Sequence, residues 1–259
     1  MTDGISLKHT FDQVAQRYNE VRPRYPDALI SKLVHVTGLS PSARLVEIGP
    51  GTGQATRGIA AYGFDITAVE LGPQLSAIAR IELQSFPNAN IITGAFEEVP
   101  LPDETFDLVF AATSFHWITP EFRYAKPHRI LKPRGHLAVI ETHHVSDEHG
   151  DGFFQASQPL FDRYQFSKPG ERPIISKTVQ PSPIDGNLFT LTGFYSFPME
   201  VTYSARTFID LLGTYSNHLA ATKERAESFL SEIKDLINDQ FQGKVTKHFL
   251  MSLTVAQKK

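Results

Sequence analysis

The chain of 259 residues contains no cysteine, which removes disulfides, thiolate nucleophiles and cysteine metal sites together. It has no apolar run long enough to span a bilayer, and its start, MTDGISLKHTFDQ, is polar and lacks the apolar core of a signal peptide. A charge excess is missing too. Twenty-five basic residues face 28 acidic ones, a net charge of −3, and the isoelectric point is near 6.4, so no basic field argues for nucleic acid or an anionic membrane. These absences predict a cytoplasmic protein without nucleic-acid or membrane partners. The length allows one large core, or a core plus a cap. No internal repeat is visible, and nothing reports an oligomeric state.

What is present begins with LVEIGPGTGQAT at 45–56. Leu45, Val46 and Ile48 read as a buried parallel strand, while Gly49, Gly51 and Gly53 let the backbone turn sharply and let a ligand approach without meeting a Cβ. A second strand, DITAVE at 65–70, ends in Glu70, where a carboxylate can accept hydrogen bonds from both ribose hydroxyls. Strand, glycine turn, helix, strand and terminal acid make one right-handed unit suited to an adenosine cofactor. A dinucleotide fingerprint needs its third glycine at position 54, but that residue is Gln54, so the spacing opposes NAD.

Further along, strands are expected near 44–49, 65–70, 90–93, 106–112, 136–142, 195–203 and 245–256. Helices are expected near 9–19, 26–37, 52–62, 73–85 and 120–131. This alternation predicts an α/β fold: a doubly wound, mostly parallel, seven-stranded Rossmann-like sheet with helices on both faces. The stretch 167–186 is rich in proline and glycine and reads as irregular. Phe229, Leu230, Ile233, Leu236, Ile237 and Phe241 recur at helical spacing, a stripe expected to pack on the sheet.

Together, Glu47, Gly49, Gly51, Gly53 and Glu70 resemble the motifs of class I S-adenosylmethionine-dependent methyltransferases. Later segments keep that family's order. TGAFEEVPLPDETFDLVFAATSFHWI at 93–118 resembles its adenine-contact loop and fourth strand, and EFRYAKPHRILKPRGHLAVIE at 121–141 its next helix and fifth strand. FDQVAQRYNEVRPRYP at 11–26 is similar to the amino-terminal stretch of small-molecule, trans-aconitate-methyltransferase-like members, and 211–230 is similar to a lesser degree. The resemblance implies one methyltransferase domain over 1–259, with an amino-terminal helical cover at 1–40 and an inserted cap at 143–193. The implied cofactor is S-adenosyl-L-methionine, with S-adenosyl-L-homocysteine as product.

By that resemblance, Gly49, Gly51 and Gly53 line the methionine and ribose portions of the cofactor. Glu47 either contacts the methionine ammonium, directly or through water, or braces the glycine loop. Glu70 holds the ribose, Leu71 packs on the adenine face, and Tyr18 and Arg22 belong to the segment covering the cofactor. Many relatives carry an aspartate where this chain has Ala95; the backbone amide of Phe96 can still donate to the ring, and Glu97 is a second source of an acceptor.

The acceptor is expected over the sulfonium. His116, in SFHW after the fourth strand, is the candidate catalytic group, and Arg24, Tyr25, Trp117, Tyr215 and His218 are candidate acceptor contacts. The arginines favour a carboxylate-bearing small molecule. Adjacent histidines in HHVSDEH at 143–149 point to opposite faces of an extended strand, so no metal is expected there. Two rival readings stand beside methyl transfer: a cofactor-binding protein without transfer activity, and a nucleotide-dependent oxidoreductase.

Overall fold

The computed structural model describes residues 10–145, 152–166 and 179–259. Seven strands form one open sheet in the order β3-β2-β1-β4-β5-β7-β6. They are β1 Arg44–Ile48, β2 Asp65–Glu70, β3 Ala89–Thr93, β4 Phe106–Ala112, β5 Leu131–Val145, β6 Phe189–Ser204 and β7 Lys244–Lys258. The first five are parallel. The Thr192 hydroxyl donates to the Val255 carbonyl at 3.1 Å, and the Thr202 and Thr246 hydroxyls lie 3.2 Å apart. Numbers therefore rise on β6 as they fall on β7, and that pair is antiparallel. Strand order reverses between β1 and β4, so their carboxyl ends form the switch point where ligands of open sheets bind.

The expected strands are all present, with β5, β6 and β7 longer than anticipated. Helices are shorter. The one predicted over 52–62 spans Gln54–Ala60, because Gly53 is left-handed at its start and Gly63 is left-handed just past its end. The helix predicted over 120–131 divides into Pro120–Arg123 and Ala125–Ile130. Pro127 explains the division: it cannot donate to a carbonyl four residues back, but it is tolerated in a first turn, whose amides have no intrahelical partner.

The chain separates into two compact units. The glycine-turn unit comprises residues 24–142, 179–197 and 251–259. Its core includes Val46 and Ile48 of β1, Val69 of β2, Val109 of β4 and Leu137 and Val139 of β5. Runs such as Leu45–Ile48, buried without interruption, are what a strand covered on both faces requires.

The aromatic unit comprises residues 1–23, 143–178 and 198–250. Phe229, Ile233 and Ile237 of helix Lys223–Gln240 are fully buried in it. They pack with Phe153, Phe166, Phe208, Leu211 and Leu212, and with Tyr203, Val245 and Phe249 from β6 and β7. The helical stripe thus packs on neighbouring helices as well as on strand residues. Each such side chain contributes about 1.5–3 kcal/mol by leaving water.

Candidate functional site

The three glycines at the end of β1 all have positive φ: +62° at Gly49, +61° at Gly51 and +93° at Gly53. Three left-handed residues at alternate positions make a tight reversal that L side chains would resist. At Gly49 the restriction is doubled, since an added Cβ would meet Ser114 Cβ at 2.8 Å. The Ser114 hydroxyl donates to the Ile48 carbonyl, so the loop leaving β4 is pinned to the turn leaving β1.

Two carboxylates flank this turn. Glu70 accepts the Gly51 amide on one oxygen at 2.8 Å and the Gly72 amide on the other at 2.9 Å. The acid at the end of β2 therefore shapes the glycine turn itself, a role its sequence position did not reveal. Glu47 is fully buried, and neither of its oxygens has a hydrogen-bond partner among the described residues. Burial pushes its carboxyl up to about 8, against a lowering influence from the Thr56 hydroxyl and with the Glu70 charge adding to the rise. A buried acceptor without a donor costs about 1–3 kcal/mol, which a cationic ligand group would recover.

The loop after β3 is held by a residue with no sequence signal. Lys126 is buried, and its ammonium donates to the carbonyls of Phe96, Glu97 and Val99 at 2.5, 3.2 and 2.6 Å. It also sits 5.0 Å from the centre of the buried Phe96 ring. The Glu97 carboxylate accepts the Thr119 amide at 3.1 Å. Ala95 is half-buried, and its carbonyl accepts the Glu98 and Val99 amides in a tight turn. Leu71, next to Glu70, is likewise half-buried.

At the exit of β4, Thr113 has φ +60°, a strained conformation for a β-branched residue. Its hydroxyl lies 2.9 Å from the Tyr25 hydroxyl and 3.2 Å from that of Thr142. His116 and Trp117 follow in a short 3₁₀ turn, their ring centres 4.7 Å apart. The pKa of His116 is lowered by burial, opposed by Glu141 and assisted by Arg123. Its side chain reaches solvent, so water screens part of this effect. Glu141 accepts the Ser182 hydroxyl at 2.8 Å. Arg24 is exposed and reaches Glu82 at 4.0 Å.

The remaining candidates lie in the aromatic unit. Arg22 donates through Nε to the Thr214 hydroxyl and through Nη2 to the Thr214 carbonyl, both at 2.8 Å. Its guanidinium lies 4.9 Å from the Tyr18 ring centre and 4.6 Å from that of Tyr215. Tyr18, Arg22 and Tyr215, far apart in sequence, are thus one cluster. His218 is elsewhere: it stacks on Phe166 at 4.0 Å, with Phe229 at 5.2 Å, and both ring nitrogens are buried without partners. Burial takes its pKa down to about 4. Of HHVSDEH, residues 146–149 lie outside the described residues. Among the described residues no His, Cys, Asp and Glu group is placed to hold a metal, and no helix is long and apolar enough to cross a membrane.

Residues 46–139 match the methyltransferase domain family. An uncharacterised methyltransferase-like protein of Schizosaccharomyces pombe is 33% identical over 141 residues, covering 54% of either chain. The chain therefore aligns with about half the length of such a curated relative. A structure provisionally assigned as a type II methyltransferase of Anaeromyxobacter dehalogenans has TM-score 0.63 at 22% identity, covering 91% of this chain and 97% of that one. A Haemonchus contortus phosphoethanolamine N-methyltransferase, in complex with phosphomonomethylethanolamine and S-adenosylhomocysteine, has TM-score 0.50 at 14% identity, covering 95% of this chain and 57% of its own. With the strand order and the glycine turn, these matches show a Rossmann-like methyltransferase fold in which residues 46–139 are similar to a methyltransferase domain.

Proposed function

We propose that the chain transfers a methyl group from S-adenosyl-L-methionine to a small-molecule acceptor. The observation that carries this reading is the buried, unpartnered Glu47 carboxylate beneath three left-handed glycines. An acid desolvated without a donor suits a cationic ligand group, and the amino-acid end of the cofactor has one. When bound, the cofactor supplies an electrophilic methyl group on a sulfonium.

In this reading Glu47 receives the ammonium, directly or through water, and Gly49, Gly51 and Gly53 line the methionine and ribose portions. Glu70 takes ribose hydroxyls, since each oxygen of a carboxylate accepts up to two bonds. Leu71, Ala95 and Phe96 border the adenine, with Lys126 fixing the loop that carries the last two. Tyr18 and Arg22 belong to the aromatic unit, where the guanidinium makes no ion pair among the described residues and suits an anionic group.

For the acceptor, Tyr25, Trp117 and Arg24 supply contacts. His116 removes a proton where the acceptor is a hydroxyl or carbon acid; its lowered pKa keeps the imidazole neutral and able to accept near neutral pH. A carboxylate or amine needs no such help, so alignment and exclusion of water carry the acceleration.

The test is a calorimetric titration with S-adenosylmethionine, S-adenosylhomocysteine and NADH, followed by a mass-spectrometric acceptor screen. Saturable binding of the two sulfur cofactors and a product heavier by one methylene supports the proposal. Binding without product across the panel favours a non-transferring cofactor-binding protein, and binding of NADH alone favours an oxidoreductase.

A further inference from the structure

The aromatic unit holds a cluster of basic and phenolic groups of which the proposed function draws only on Arg22. The His144 ring lies 5.2 Å from Tyr215 and 5.5 Å from Phe249, centre to centre. Lys247 and Phe249, two residues apart on β7, share one face of the sheet, and the Lys247 ammonium is 5.5 Å from the Phe249 ring centre. Tyr215 in turn carries the Arg22 guanidinium on its face at 4.6 Å. The five side chains are therefore linked ring to ring and cation to ring.

Among the described residues, the cluster lacks an acid. The Tyr215 hydroxyl and His144 Nδ1 are buried without a hydrogen-bond partner among the described residues. His144 titrates well below its ordinary range because of burial and the charges of Lys247, Arg22 and His143, all acting in one direction. Burial alone brings Lys247 down to about 8. Arg22 is fixed by Thr214, a neutral partner that leaves its charge uncompensated. Desolvated cations beside orphaned hydrogen-bonding groups are costly unless something anionic pairs with them.

We propose that Arg22, His144, Tyr215 and Lys247 form an oxyanion site within the aromatic unit that receives a carboxylate or phosphate group. Arg22 and Lys247 supply charge, and the Tyr215 hydroxyl and the His144 ring supply the orphaned hydrogen-bonding positions. Lys247 had no signal in the sequence, and His144 stood out there only as half of a histidine pair.

The experiment titrates succinate and inorganic phosphate into the full-length protein presaturated with S-adenosylhomocysteine, then repeats this with Lys247→Met and Tyr215→Phe. Lys247→Met removes a half-buried charge, and Tyr215→Phe removes a hydroxyl without a hydrogen-bond partner among the described residues, so both should fold. The expected result is saturable binding of one of the two probes, which also decides between carboxylate and phosphate. Binding should weaken about tenfold or more in Lys247→Met while affinity for S-adenosylhomocysteine stays the same. No saturable binding of either probe would overturn the subsite. An equal loss of S-adenosylhomocysteine affinity would also overturn it, because the cluster would then serve the carboxylate of the cofactor. Failure of S-adenosylhomocysteine to bind wild type would instead count against the methyl-transfer reading, and the anion titration of the unloaded protein would still decide the subsite.

Discussion

Glu70, at the end of β2, holds the Gly51 amide in a 2.8 Å hydrogen bond while its other oxygen takes the Gly72 amide at 2.9 Å. The residue proposed to receive a ribose therefore also tensions the glycine turn. Glu70→Gln leaves one amide unbonded, because a carboxamide has a single acceptor oxygen, and should cost about 1–3 kcal/mol. Glu70→Ala should lose both bonds and weaken S-adenosylhomocysteine binding about tenfold or more. Urea denaturation and calorimetry check the pair; undiminished affinity in Glu70→Ala would remove the ribose assignment.

Glu47 should make stability pH-dependent in a predictable direction. Its carboxyl titrates near 8 when folded against an ordinary 4.5. Between those values the native state keeps a proton that the unfolded chain has released, so this contribution is complete below about 4.5, declines as pH rises, and is gone above about 8. Glu47→Gln should abolish that decline, gaining on wild type as pH rises through the window. Thermal denaturation of both proteins at several pH values measures the difference, and parallel curves would refute it. An ammonium reaching Glu47 should also expel its proton near neutral pH, visible in calorimetry as a dependence on buffer ionisation enthalpy.

Gly49→Ala combines two penalties, a positive φ and a Cβ 2.8 Å from Ser114 Cβ. Together they should cost about 2–4 kcal/mol. Adding Ser114→Gly should recover the steric part alone, so the double variant should be less unstable than the sum of the single ones. Simple additivity in urea denaturation would place the strain elsewhere.

Lys126→Met should release the carbonyls of Phe96, Glu97 and Val99 from their shared donor. A loss of about 2–3 kcal/mol is expected, with faster amide exchange confined to 95–99. Exchange unchanged in that loop would mean that other contacts order it.

Ala95→Asp introduces the acid that the family resemblance implies at this position, whose carbonyl already receives the Glu98 and Val99 amides. Tighter S-adenosylhomocysteine binding is expected by calorimetry. Equal or weaker binding would argue that the new carboxylate caps the local turn or that the alignment of this loop is shifted.

The glycine turn was legible in sequence because three glycines at alternate positions after an apolar run have few other uses. Strand positions were legible for the same reason that β1 is buried on both faces: continuous apolar runs leave little ambiguity. Strand order came through resemblance. Lys126 was not legible, since a lysine in a helix ordinarily reads as solvated, and three backbone carbonyls leave no mark in a sequence. Thr113 was equally silent, because its left-handed backbone is imposed by tertiary contacts with Tyr25 and Thr142 and not by threonine itself. Tyr215 and His218, three residues apart, looked equivalent; the first meets Arg22, while the second turns into a phenylalanine cluster.

The bond from Arg22 to Thr214 joins positions 192 residues apart. On the ribosome, the helix Ala15–Val21 emerges early and must wait for that anchor, whereas β1, β2, β3, β4 and β5 can pair as they appear. Its Tyr18 and Val21 side chains are exposed during that interval, so maturation of the aromatic unit should be the late, loop-closure-limited event in biosynthesis.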